Sequence, residues 1–162
     1  MYNTSIPRPE HPEPQWERKS WKNLNGEWQF EIDHGVSGED RGLPTQAFLK
    51  DKITVPFCPE SILSGVGDRD FHHCVWYRRD IEIPADWKGE QIYMHIGSAT
   101  SNLTLWVNGK EVGYAEDSKV AAEFDLTKYL KPGEKNLIAM QVMRWCDGSY
   151  FQPYFERNRA NG

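Results

Sequence analysis

In NLTLWVNGKEVGYA, residues 102–115, two runs of alternating apolar and polar residues meet at Asn108-Gly109. No other stretch limits the fold so strongly. Asn and Gly both tolerate the positive φ that a type I′ turn demands, so the segment predicts a tight two-strand hairpin. The same period of two recurs in LNGEWQFEID, with Trp28, Phe30 and Ile32 on one face and Glu27, Gln29 and Glu31 on the other. KITVPF reads as a short strand stopped by Pro56, and VWYRRDIEI and QIYMHIG as strands parted by the turn-like PADWKGE. AEFDLTKYLKPGEKN reads as a strand, a helical turn and a Pro-Gly turn. NLIAMQVMRW is nearly continuous in apolar character, as befits a strand covered on both faces. Residues 34–42 read as a loop, and Cys58 to His73 as an irregular excursion. No segment sustains a 3.6 period. Seven or eight strands at this spacing predict an all-β sandwich.

At 162 residues the chain is long enough for one domain with a sizeable core. Residues 1–19 hold four prolines and no periodicity, which predicts an extended N-terminal arm over the surface. The formal charge is −5 and the basic residues are scattered among the acids, which argues against nucleic acid as a partner. No run nears the roughly 18 apolar residues of a membrane helix, and MYNTSIPRPEHPEPQ lacks the apolar centre of a signal peptide. A cytoplasmic or a periplasmic setting suits this pattern equally. Cys58, Cys74 and Cys146 are too irregularly spaced for a disulfide framework or a zinc motif.

Several constellations invite chemistry. A glycosidase needs two carboxylates about 5–9.5 Å apart. Glu111, Glu116, Asp117, Glu123, Asp125 and Asp147 are available, but no spacing fixes such a pair, and solvated strand or turn positions account for them. In DFHHC the adjacent His72 and His73 point to opposite sides of an extended chain and chelate one ion poorly. Ser149 and Asp147 lack the nucleophile elbow that would support a triad. Asp147 itself, in RWCDGSY, sits where an apolar strand gives way to a Gly-containing turn. It either shapes that turn or serves as a ligand. If its loop lies beside the one bearing Glu116 and Asp117, the converging carboxylates suit a hard cation such as Mg²⁺ or Na⁺. Seven tryptophans suit either strand cores or stacking on sugar rings.

LNGEWQF, ITVPFCPESILSG, VWYRRDIEIP, LWVNGKEVGYAEDSKVAAEFDL and RWCDGSY together resemble the N-terminal sugar-binding domain of glycoside hydrolase family 2. The hairpin run and RWCDGSY point to its β-galactosidase branch. The resemblance implies a jelly-roll β-sandwich, galactose-binding-domain-like, over residues 20–150, with 151–162 a divergent C-terminal tail. It also implies an immunoglobulin-like domain and a (β/α)₈ barrel beyond it, the barrel carrying both catalytic glutamates. A barrel takes roughly 250 residues, more than this whole chain. The chain is therefore expected to be a non-catalytic accessory domain, a fragment or truncated product with no catalytic residue of its own. Its implied partners are a β-galactoside-class carbohydrate, in the context of the parent enzyme, and the parent's remaining domains.

In that family the aspartate of RWxDGSY belongs to a divalent-cation site, a role Asp147 inherits. Glu116 stands where the family usually places a glutamine ligand, which adds charge. The other ligands come from an N-terminal segment with no counterpart here, so the set is incomplete and weak Mg²⁺ or Na⁺ binding is the most expected of it. No cofactor is required. The family's sugar-contacting aspartate, eight residues after Asp147, is replaced by Phe155. The sugar-binding residues of this chain are thus left unassigned. Two rivals have different signatures. A free-standing lectin-like module would show exposed, coplanar tryptophans, and a small enzyme using Asp147 and Glu116 would turn over aryl glycosides.

Overall fold

The computed structural model describes residues 6–12, 15, 20–97, 101–116, 122–144 and 152–158. Ten strands follow in chain order: β1 (Trp21–Asn23), β2 (Gly26–Ile32), β3 (Asp51–Val55), β4 (Cys74–Glu82), β5 (Gln91–Gly97), β6 (Ser101–Val107), β7 (Lys110–Ala115), β8 (Ala122–Asp125), β9 (Lys135–Arg144) and β10 (Gln152–Asn158). They form a four-stranded sheet, β1-β10-β5-β8, and a six-stranded sheet, β3-β2-β4-β9-β6-β7. Every pairing is antiparallel. The fold is the jelly-roll sandwich that the strand pattern and the resemblance imply.

Alternation makes the core. Trp28 and Phe30 of β2, Met94 and Ile96 of β5, and Ile138 and Met140 of β9 all turn into the space between the sheets. The hairpin turn is as the sequence requires: Asn108 has φ 51° and Gly109 φ 79°.

Strand β9 is covered on both faces, because a second apolar cluster lies on the outer side of the six-stranded sheet. There Trp76 and Trp106 stack with centroids 5.2 Å apart, flanked by Leu43, Leu49, Cys74 and Ala139. The cover is residues 33–50, and Asp33 starts it. Its carboxylate accepts from the Ser37 and Gly38 amides at 3.1 and 2.7 Å and from Trp76 Nε1 at 3.1 Å. Gly38 is obligatory, since a Cβ there would fall 2.3 Å from Trp76 Nε1. This cover changes the reading of the polar face of β2. Glu31 is buried and paired with Arg41 at 2.8 Å, and Gln29 accepts from the Leu49 amide at 2.8 Å. Burial, followed by the nearby Asp33 charge, pushes the Cys74 thiol up to about 12.

The domain boundary drawn at residue 150 moves. Residues 152–158 are not a divergent tail but β10, lying between β1 and β5 in the four-stranded sheet. Phe155 is fully buried in the main core. An apolar side chain fills the space between the sheets and its backbone completes two ladders, which is why this segment belongs to the sandwich.

Candidate functional site

The registers bring several strand ends together. In the six-stranded sheet Ser101 pairs with Arg144, and Leu103 faces Val142 on one side and Ala115 on the other. In the four-stranded sheet Gly97 pairs with Gln152, and Ile96 with Ala122. The strands flanking residues 98–100, 116–121 and 145–151 therefore all end at one end of the sandwich. Glu116 follows β7 directly and is exposed. Strand β9, which leads toward Asp147, lies two strands away, about 10 Å at the usual strand spacing. Asp117 and Asp147 themselves lie outside the described residues. Among the described residues no group of three or more His, Cys, Asp or Glu is arranged to hold a metal.

One charged pair at this end was not singled out from the sequence. Arg144, the last residue of β9, is 1% exposed and directs its guanidinium to the Glu60 carboxylate. The Arg144 amide donates to the His73 carbonyl at 2.7 Å, and His73 Nδ1 donates to the Arg144 carbonyl at 3.0 Å. Residues 56–73 are thus tied to the end of β9 through one residue. Burial alone would raise the Glu60 pKa; the Arg144 hydrogen bond and charge outweigh it and hold the carboxyl below its ordinary value. Tyr77, buried nearby, has its phenol pushed up by desolvation. The sequence did carry a signal. Ile138, Met140, Val142 and Arg144 share the inward face of β9, and a charge on an apolar stripe demands a buried partner.

Residues 63–155 match the family model described as glycosyl hydrolases family 2, sugar binding domain. The chain belongs to that family. A β-galactosidase of Vibrio vulnificus strain YJ016 is 47% identical over 161 residues, covering 81% of this chain and 14% of the relative. A β-galactosidase of Oenococcus oeni is 48% identical over 80 residues, covering 47% of this chain and 7% of the relative. A β-glucuronidase of Paenibacillus borealis is 31% identical over 129 residues, covering 76% of this chain and 22% of the relative. The crystal structure of Ruminococcus gnavus β-glucuronidase superposes with a TM-score of 0.74 at 19% identity, over 84% of this chain and 28% of that one, and supports the fold. This chain therefore spans a small part of each relative.

In this sugar-binding domain the remaining sequence candidates have structural duties. His72 Nε2 lies 2.8 Å from Asp68 Oδ2, while His73 serves β9, so the adjacent histidines diverge as an extended chain requires. Trp28, Trp76, Trp87 and Trp106 are buried, and Trp21 packs edge-on against His11. Among the described residues no exposed tryptophan platform is present.

Proposed function

We propose that the chain is the non-catalytic accessory domain of a family 2 glycoside hydrolase of the β-galactosidase branch. Its loop end would complete the rim of a β-galactoside pocket when the parent's other domains are present. The observation that carries this reading is the shared end of the strands flanking 98–100, 116–121 and 145–151, the last two of which hold the family-like motifs. The buried tryptophans favour it over a stacking lectin. Nitrophenyl β-galactoside and β-glucuronide should show no turnover with this chain, because the two catalytic carboxylates belong to a barrel of roughly 250 residues. A measurable kcat abolished by a point substitution within these residues would overturn the reading.

Glu116 and Asp147 are the proposed carboxylates of a weak cation site. Mg²⁺ needs a near-octahedral set of oxygens, and two side chains leave most of it to water, so binding in the millimolar range is expected by analogy with the weakest calcium modules. Asp147 is proposed to act mainly on its turn, accepting backbone N–H bonds near Gly148 and Ser149. Asp147→Ala should lower the melting midpoint modestly, and equally, in Mg²⁺ and in EDTA. Stabilisation of the wild type alone by several degrees in millimolar Mg²⁺ would instead establish a metal role.

A further inference from the structure

A cleft of about 430 Å³ runs along one side of the sandwich, from Glu123 near the start of β8 to residues 127–129 beyond its end, lined by Glu123, Phe124, Asp125, Thr127, Lys128 and Tyr129 together with Val112 of β7. It lies where β7, an edge of the six-stranded sheet, faces β8, an edge of the four-stranded one. Each of these strands pairs on one side only, so backbone N–H and C=O groups outside the ladders border the cleft. We infer that this cleft is a second binding site, for a neutral saccharide, separate from the loop end.

The chemistry of the walls carries the assignment. Asp125 is held rigidly: its Oδ1 accepts from the Thr127 amide at 3.0 Å and from Thr127 Oγ1 at 2.6 Å, and that hydroxyl accepts from the Ile92 amide at 3.0 Å. The second oxygen of Asp125 has no partner among the described residues and is open to an incoming hydroxyl. Glu123 is exposed on the same face of β8, two residues away, with its Oε2 3.4 Å from His95 Nδ1. Lys128 Nζ sits 5.3 Å from the centre of the Tyr129 ring, which keeps an ammonium donor at the wall. One held carboxylate, a second acceptor, an ammonium donor and apolar ring surface match a sugar, whose hydroxyls both donate and accept and whose C–H faces are apolar. Two carboxylates against one ammonium leave a net negative wall, which selects against anionic ligands.

An extended peptide adding a strand to β7 is the rival occupant. The edge is poorly made for it, because the β6–β7 ladder shifts register at Leu105/Trp106 and β8 has only four residues.

The test is amide-resolved NMR titration of the whole chain with β-1,4-galactotriose, with sodium glucuronate as the anionic arm. Shifts at Thr127, Lys128 and Tyr129 that saturate in the millimolar range, with weaker or absent response to glucuronate, are expected. Lys128→Ala and Glu123→Gln, both at exposed positions, should each weaken binding about tenfold, as loss of a hydrogen bond to a charged group does, while the spectrum stays folded. Shifts confined to residues near 116 and 144 would overturn the side cleft and leave the loop-end reading intact. No response to the trisaccharide, or binding of an extended peptide in its place, would also overturn it.

Discussion

Asn108→Val should cost the fold about 3–4 kcal/mol, lowering the melting midpoint by about 6–16 °C for a domain of this size. Two losses combine. A β-branched residue resists the positive φ of 51° at this position, at roughly 1–2 kcal/mol. The asparagine side chain is also a knot between three segments. Its Nδ2 donates to the Tyr129 carbonyl at 3.0 Å and to Asn136 Oδ1 at 2.9 Å, and its Oδ1 accepts from the Leu137 amide at 3.0 Å. Asn136, fully buried, passes the connection on to Lys131 and Glu134. Valine takes this partner from the Tyr129 carbonyl and the Leu137 amide and leaves Asn136 Oδ1 with the Lys131 amide, at about 1 kcal/mol or more for each lost bond that water cannot replace. Asn108→Gly separates the two losses: it accepts the φ and forfeits only the side-chain bonds, so it should cost about 2 kcal/mol. Urea unfolding of both variants checks the partition. A glycine variant as stable as the wild type would show that the network contributes nothing.

The hairpin was legible because its information is local: two residues set the turn and the alternation sets the faces. The same holds for β2, β4, β5 and β9. What escaped depended on distant partners. Strand β10 carries Pro153, which demotes a run to an edge or a loop, yet it lies inside a sheet. The ladder with β1 spans only residues 154–156, so the missing N–H of Pro153 falls outside it. Glu31 and Gln29 looked solvent-facing because their cover, residues 33–50, is assembled by the Asp33 carboxylate from contacts that no periodicity encodes. At the candidate site the sequence set Glu116 and Asp147 in separate loops, and only the strand registers bring the flanking strands to one end. Glu60 and Arg144 stand 84 residues apart, and the pair becomes visible only when the inward register of β9 is known.

That pair sets the second large effect. Glu60→Ala should cost about 3–5 kcal/mol, because it strands the Arg144 guanidinium, 1% exposed, without its counter-charge. The desolvation of both ions opposes their attraction, so the pair as a whole adds far less than this. Glu60→Leu with Arg144→Met, which removes both charges, should therefore recover most of the loss. Acid adds an independent reading. The Glu60 pKa is depressed in the folded chain, so its contribution is complete above the unfolded value of about 4.3 and fades as the pH falls through the folded one. Asp33 is depressed too: burial would raise it, and the Ser37, Gly38 and Trp76 hydrogen bonds outweigh that, so it acts in the same direction. Stability should thus decline as the pH falls below about 5, and the decline should be shallower in the double apolar variant, where only the Glu60 share is missing. If that variant remains as unstable as Glu60→Ala, the cost lies in lost packing between residues 56–73 and β9, and the stranded charge is not its cause. An acid limb unchanged from the wild type would show that Glu60 does not titrate against Arg144.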